Sequence, residues 1–515
     1  MRVWWIVLGW GVGLLGGGGE LHGVEGGPEG LVPVEGIEVE RLEAEREADL
    51  GRPLGWAERL GLRARAHPFL PVSTAIFLLA VVHTFLAHRL ERGAEAREKR
   101  LGHRDFVASL GQFLGRIEVV FGLWLAPLLL AFLWLLPGGW TAAADYAASR
   151  DFGEPLFVVV IMATTASRPV LSFAEVCLER VARLGGATPG AWWLTLLTVA
   201  PLLGSLVTEP AAMTVAALLL GQQFYAWEPS LRLRYATLGL LFVNVSVGGT
   251  LTHFAAPPIL MVAEEWQWNL PYLFGNFGWR SLVGIVLCSG ITFLLFRGEF
   301  RDLRRRAGGA EEGPAERETP PPRWLIVLHL AFVVWTVVTL HQPLFFVGGF
   351  LLFLAVSHAT EAHQDQPRLQ QAALVGFFLA ALVLHGGLQG WWISPLLGAL
   401  GEIPLFFTAV ALTAFNDNAV ITYLAAQLPS FDPESFVAGQ WISKTGLALD
   451  RARTLEQAVV AGAVTGGGLT LIANAPNPAG HSLLRPWFPR AISPWRLLAA
   501  ALPPTAVMGF LLMVG

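Results

Sequence analysis

The 515-residue sequence is 54% hydrophobic and only 14% charged, with a formal net charge of −4. Apolar runs of about 18 or more residues recur along it, each long enough to cross a bilayer core of roughly 30 Å, so the chain reads as a polytopic membrane protein. No basic-aromatic interleaving suggests a nucleic-acid partner. No phosphate loop, nucleophile motif or metal-ligand cluster points to an enzyme or a bound cofactor, and Cys177 and Cys288 lie in apolar context as structural thiols.

Residues 1–20 join a charged start to a short apolar run and glycines, the pattern of a signal peptide or an N-terminal anchor. Residues 21–67 are acidic and rich in Gly and Pro and read as an extracytoplasmic arm with little regular structure. A first span of about 68–88 is followed by Arg89, Arg92, Arg97, Lys99, Arg100 and Arg104, a charge density that marks the cytoplasmic side. Spans of about 106–136 and 155–177 run out and back. From Trp192 to Gln222 the chain stays apolar but carries Pro201, Gly204, Thr208, Glu209 and Pro210, which a helix interior does not tolerate. A re-entrant hairpin turning at Thr208-Glu209-Pro210 fits better. Spans of about 235–262 and 272–296 close a first transmembrane repeat, 68–296, at a cluster of arginines. Residues 297–323, with mixed charge and Pro320-Pro321-Pro322, read as a flexible cytoplasmic linker.

Residues 324–515 repeat the plan with opposite polarity. Spans of about 324–340, 343–357 and 372–388 precede a hairpin of about 392–428 that turns near Asn416-Asp417-Asn418. A polar external segment of about 429–456 and spans of about 457–480 and 495–513 follow. The expected fold is therefore an all-α polytopic membrane protein, an inverted repeat of two five-helix units, each with a re-entrant hairpin and a broken helix.

Both hairpin tips place a carboxylate where the bilayer would be. Val207-Thr208-Glu209-Pro210-Ala211-Ala212-Met213-Thr214 and Ala414-Phe415-Asn416-Asp417-Asn418-Ala419-Val420-Ile421-Thr422 each set an acid five residues before a Thr, with Ala two positions after the acid. This spacing pairs Glu209 with Asp417. Intramembrane acids are functional-site candidates because they must be paired or hydrated there. Each hairpin is followed by a span broken in one way: Gly248-Gly249-Thr250-Leu251-Thr252-His253 leads to Pro257, and Gly466-Gly467-Gly468-Leu469-Thr470 leads through Asn474 to Pro476-Asn477. Such glycines and prolines unwind a helix, and the freed backbone survives in a membrane only where protein or a wet cavity satisfies it. Many secondary transporters build midplane ion sites from discontinuous helices of this kind. Oxygen ligands for a hard monovalent cation are available from Asp417, Asn416, Asn418, Thr422, Asn474, Glu209 and Thr208, and a carboxylate there binds either a cation or a proton.

This layout is similar to the ion-transporter superfamily that contains sodium-coupled dicarboxylate carriers, arsenite permeases and sodium/proton antiporters. Within it, Thr-Glu-Pro-Ala-Ala-Met-Thr at 208–214, Phe-Asn-Asp-Asn-Ala at 415–419 and Leu-Ile-Ala-Asn-Ala-Pro-Asn-Pro-Ala-Gly at 471–480 resemble a bacterial group of sodium/proton antiporters. The resemblance covers about residues 70–513. It implies a secondary active transporter in the bacterial inner membrane, exchanging Na+ for protons by alternating access. It also implies a homodimer with an elevator-like motion of the hairpin domain. Dicarboxylate carriers present Ser-Asn-Thr at the tips, whereas Glu209-Pro210 and Asp417-Asn418 stand here. A fixed carboxylate repels a dianion, which favours a cation as cargo. The alternative is a sodium- or proton-coupled permease for a small anion such as a dicarboxylate, with Asp417 holding the coupling Na+. A non-transporting membrane assembly protein is a third reading.

The expected site is thus Asp417, Asn416, Asn418, Thr422, Glu209, Thr208, Thr214, Asn474, Asn477, Thr252 and Thr470, with Na+ at Asp417, Asn418 and Asn474. Asp417, Glu209, His253 and Glu118 are the candidate proton carriers, and Gly248, Gly249, Gly466, Gly467 and Gly468 are the backbone breaks. Each has a plainer alternative. Glu209 suits a helix start, where a carboxylate favours the dipole; Asn474 and Asn477 suit turn caps; the threonines and glycines suit architecture; and His253 suits a hydrogen-bonded structural role. Glu118 is a relay or the partner of Arg116, and Arg168 is an intramembrane counter-charge or a snorkelling side chain.

Overall fold

Proline, glycine and capping residues set where this apolar chain stops and turns. The computed structural model describes residues 37–308, 320–367, 369–397, 400–426, 433–437, 440–443 and 449–513. In chain order the helices of the first part are α1 (Ile37–Leu50), α2 (Trp56–Ala66), α3 (Phe69–Leu101), α4 (Phe106–Leu114), α5 (Ile117–Leu135), α6 (Trp140–Ala148), α7 (Gly153–Thr165) and α8 (Arg168–Leu184). They continue as α9 (Pro189–Val207), α10 (Glu209–Gln223), α11 (Leu231–Gly248), α12 (Pro257–Ala263), α13 (Leu270–Leu295, with a π turn at Phe274–Gly278) and α14 (Arg297–Gly308). The second part holds α15 (Arg323–Val338), α16 (Pro343–Ala359), α17 (Leu369–Gly386), α18 (Gly390–Leu397), α19 (Glu402–Phe415) and α20 (Asn418–Ala426). An antiparallel hairpin, β1 (Pro433–Val437) and β2 (Gln440–Ser443), pairs Val437 with Gln440. After it come α21 (Leu449–Gly466), α22 (Asn477–Leu484) and α23 (Pro494–Met513).

Four of these helices, Pro189–Val207, Leu270–Leu295, Leu369–Gly386 and Pro494–Met513, are long and apolar enough to cross a membrane, or up to seven spans if bent pairs count as one, among the described residues. That is fewer than the spans expected, because bends and breaks divide several of them. The expected span of 155–177 is α7 and α8, which meet at 66°. Large apolar side chains stay exposed on the outer helices, among them Leu294 on α13 and Phe510 on α23; surface of that kind suits lipid.

Two expectations outside the spans fail. The arm is not irregular where it is described: α1 and α2 are helical, as the helix-forming Glu, Leu, Ala and Arg of α1 allow. Arg63 holds Glu43 at 2.5 Å, Arg59 holds Glu47 at 2.8 Å, and Arg63 also donates to the Trp391 carbonyl at 2.7 Å, docking the arm on α18. Residues 297–308 are likewise the helix α14 rather than flexible linker. Phe300 and Leu303 are buried there, and Glu299 accepts from the Ser230 N–H and hydroxyl. The N-terminal segment 1–20 and residues 309–319 lie outside the described residues.

Two large apolar cores form. One gathers α9, α10, α11, α13, α19, α21 and α23; the other gathers α3, α5, α7 and α15–α17. Val207, Ala211, Ala419 and Val420, which flank the two expected tips, belong to the second core although their helices also feed the first. The tips therefore sit at the seam. The first hairpin closes as expected, α9 against α10, whereas α19 packs mainly along α21 and α20 packs on α12.

Helix breaks inside the first core are satisfied. Pro201 cannot donate to the Leu197 carbonyl four residues back, and that carbonyl accepts instead from Asn244 Nδ2 at 2.7 Å and Ser289 Oγ at 3.2 Å. Glycine permits the close approaches: a Cβ at Gly466 would lie 2.8 Å from the Val410 carbonyl oxygen and 2.9 Å from Thr413 Cβ. Gly466→Ala should thus cost about 1–3 kcal/mol by overpacking, read as a lower melting temperature in detergent; unchanged melting would mean the helices part there freely.

Outside the spans, Asp105 caps α4 by accepting from the Ala108 N–H at 2.9 Å, and Arg97 Nη2 holds it at 2.6 Å. The Arg97 hydrogen bonds, then that of Ala108, hold its carboxyl down from 3.8 to about 2. A folded-state value below the unfolded one means stability that is present above the unfolded value and lost as pH falls through the folded value. Asp105→Asn keeps a cap acceptor but loses the charge. It should melt below the parent protein at neutral pH, with the gap closing as pH falls from 3.8 to about 2.

Candidate ion site at the seam

The first tip is a single residue. Thr208 joins α9 to α10 at φ 75° and ψ 150°, a region that glycine occupies and that costs other residues about 1–3 kcal/mol. Glu209 follows it as the first residue of α10 and is fully buried. Its Oε2 accepts from Asn474 Nδ2 at 2.9 Å, and its Oε1 has no hydrogen-bond partner among the described residues. Gly249 makes room for that carboxylate: a Cβ there would lie 2.5 Å from Oε1.

At the second tip Asp417 is the cap of α20. Its Oδ1 accepts from the Ala419 N–H at 2.9 Å, and its own N–H donates to Asn416 Oδ1 at 2.9 Å. Asn418, the first residue of α20, is fully buried with neither Oδ1 nor Nδ2 partnered among the described residues. Gly467 faces it, where a Cβ would lie 2.9 Å from Nδ2.

After a 3-10 turn at Gly249–Leu251, unwound backbone runs from Thr252 to Ala256, and it runs over residues 467–476 after α21. Thr252 Oγ1 donates to the Ser205 carbonyl at 2.8 Å, and Thr470 Oγ1 to the Ala414 carbonyl at 2.7 Å. Gly248 lies against the Pro201 carbonyl as Gly466 lies against that of Val410. These paired contacts match Pro201 to Val410 and Ser205 to Ala414. Counted on from there, Thr208 matches Asp417 and Glu209 matches Asn418, in agreement with where the two helices start and with the facing glycines Gly249 and Gly467. The pairing of Glu209 with Asp417 by sequence spacing is thus displaced by one residue. Matching acid to acid and Thr to Thr hid the difference between a capping position and the first helical position.

Both tips meet one strand of backbone. The Ala473 carbonyl accepts from the Asn418 N–H at 3.1 Å, Asn474 donates to Glu209, and the Ala475 backbone lies beside the Asp417 carboxylate. Glu209 Oε1 and the side-chain oxygens of Asn418, Asn474 and Asn477 are all buried without a partner among the described residues. Oxygen atoms with open lone pairs around two buried carboxylates are what a dehydrated hard cation needs, and buried carboxylates need a compensating positive charge.

The other expected residues do different work. Asn477 Nδ2 clamps the unwound turn, donating to the Gly467 and Thr470 carbonyls at 2.8 Å each. Thr214 donates to the Pro210 carbonyl and Thr422 to those of Asn418 and Ala419, within their own helices. With Thr252 and Thr470 they hold backbone. His253 lies in the first unwound segment with its ring against Phe254 and Nδ1 unpartnered among the described residues. Arg168 opens α8 at the bend. The Glu118 side chain lies outside those described. Ser205, Ala473 and Ala475 contribute through backbone or a short hydroxyl and leave no signal in the sequence.

The family described as "Putative Na+/H+ antiporter" matches residues 69–514. The chain belongs to that family. It is therefore a multi-pass membrane protein of an antiporter family, a class of transporters and not of enzymes. Among solved structures, the chain is similar to the YdaH transporter of Alcanivorax borkumensis at 15% identity and a TM-score of 0.42, over 77% of this chain and 96% of that one. No curated protein matches.

Asn477→Leu removes both clamp bonds and should cost about 1–3 kcal/mol for the carbonyls left open, seen as a lower melting temperature. A variant with parental melting would show that the unwound turn is held by other contacts.

Proposed function

We propose that the chain is a sodium/proton antiporter whose shared site is the seam between the two tips. The observation that carries this is the convergence of Glu209 and Asp417 on Ala473-Asn474-Ala475, with oxygen lone pairs left open around them. Two carboxylates so placed accept either Na+ or protons, because each needs positive charge in a low-dielectric setting. Competition for the same oxygens is the exchange: Na+ binding releases protons, and protonation releases Na+. Asp417, Glu209, Asn418 and Asn474 bind; Asn477, Thr252 and Thr470 position the backbone. No cofactor enters; Na+ and protons are cargo.

The matching contacts at the two tips support an inverted arrangement of the repeats 68–296 and 324–515, which gives alternating access from one fixed site. A homodimer in the bacterial inner membrane, with the hairpin helices moving against α3, α5 and α17, completes the reading. Two carboxylates facing the cargo disfavour a dicarboxylate.

In proteoliposomes with an imposed sodium gradient, the protein should move protons in the opposite direction. Asp417→Asn should abolish this movement, and Glu209→Gln should lower it at least about ten-fold, as loss of a charged ligand costs about 1.5–3 kcal/mol. Full exchange in Asp417→Asn overturns the site assignment. Sodium-dependent uptake of a labelled dicarboxylate without proton movement overturns antiport.

A further inference from the structure

A small, partly open recess with a cavity volume of about 40 Å³ lies beside the first tip. Its polar lining is Thr165 from the end of α7, Thr208 and Thr214 from the first hairpin, and Gln371 from the first turn of α17. Thr208 and Thr214 are among the expected site residues; Thr165 and Gln371 are not.

Following the hydroxyl protons shows what it can hold. Thr165 Oγ1 donates to the Ile161 carbonyl at 2.7 Å, and Thr214 Oγ1 donates to the Pro210 carbonyl at 2.8 Å. Thr208 Oγ1 lies 3.4 Å from Thr165 Oγ1. Since the Thr165 proton is already committed, Thr208 is the donor in that pair. The Thr165 and Thr214 protons are therefore used within the protein, and those two hydroxyls have only lone pairs left to offer. Pro210 brings no N–H to the start of α10, one donor fewer at this wall. Hydroxyl oxygens with open lone pairs can take a cation. Gln371 is exposed at the recess, and its amide oxygen can join the same set. The strained backbone of Thr208 places its hydroxyl in this wall while the next residue is Glu209.

We infer that the recess is a waiting site for a monovalent cation that keeps part of its hydration shell, held by threonine oxygens one residue short of the Glu209 carboxylate. This rests on the cation-transport reading for its destination, but not for its chemistry. The cation would trade water for Thr165, Thr208 and Thr214 oxygens before meeting the carboxylates.

The test is chemical labelling that needs no transport. In the full chain with Cys177 and Cys288 replaced by serine, Gln371→Cys is exposed to a cationic and an anionic methanethiosulfonate of similar size. The cationic reagent should react about ten-fold faster or more, as in clefts lined by one sign of potential, and Na+ should slow it. Thr165→Val should raise the Na+ concentration needed for protection several-fold, and Thr165→Ser should restore it. Equal rates, an anionic preference, or protection unaltered in Thr165→Val overturns the waiting site. If the labelling pattern holds while proteoliposomes show no sodium-driven proton movement, antiport fails and the recess stands. If antiport is present and lost in Asp417→Asn while labelling shows no preference, the recess inference alone fails.

Discussion

Everything at the centre of this molecule depends on the cost of putting a carboxylate in a low-dielectric interior. That cost is met first by backbone. The chain after α21 leaves the helical pattern over residues 467–476, and the Ala473 carbonyl it frees becomes a partner for the second tip. Asn477 then satisfies carbonyls that the unwinding exposes. Unwinding, clamping and charge burial are one coupled arrangement, and none is stable without the other two.

Glycine is the second requirement, and at two positions its reason is specific. Gly249 and Gly467 face the first residue of α10 and of α20: a methyl group at Gly249 would occupy space that Glu209 fills, and one at Gly467 would meet Ser246 first and then Asn418. The repeated Gly-Gly pattern therefore records where side chains from the tips enter. The threonines that follow record how the break is tied back to the arm before it, through Ser205 and Ala414.

Much of this was legible in the sequence, and the reasons are physical. Charged or amide groups inside apolar runs, and Gly or Pro where a helix should continue, have few structural explanations in a membrane, so Glu209, Asp417, Asn418 and Asn474 stood out. The register between the tips did not, because residue identity and helical position disagree there by one step. Nor did the partners supplied by main chain, since Ala473 and Ala475 look like filler. The arm and the linker misled for a different reason: Glu-rich and Arg-rich stretches look solvated, yet α1, α2 and α14 gain their order from docking, through Arg63 on Trp391 and Glu299 on Ser230.

The one-residue step between the tips has a consequence for direction. In the proposed inverted arrangement, turning the molecule over in the bilayer leaves its scaffold nearly unchanged. The likeness stops at the ions: a capping Asp417 becomes a threonine, and Glu209 becomes an amide. In that proposed arrangement, the two faces would meet a different carboxylate at the equivalent position. Sidedness in such a protein need not be written in loops or domains; a single place in the helical count suffices.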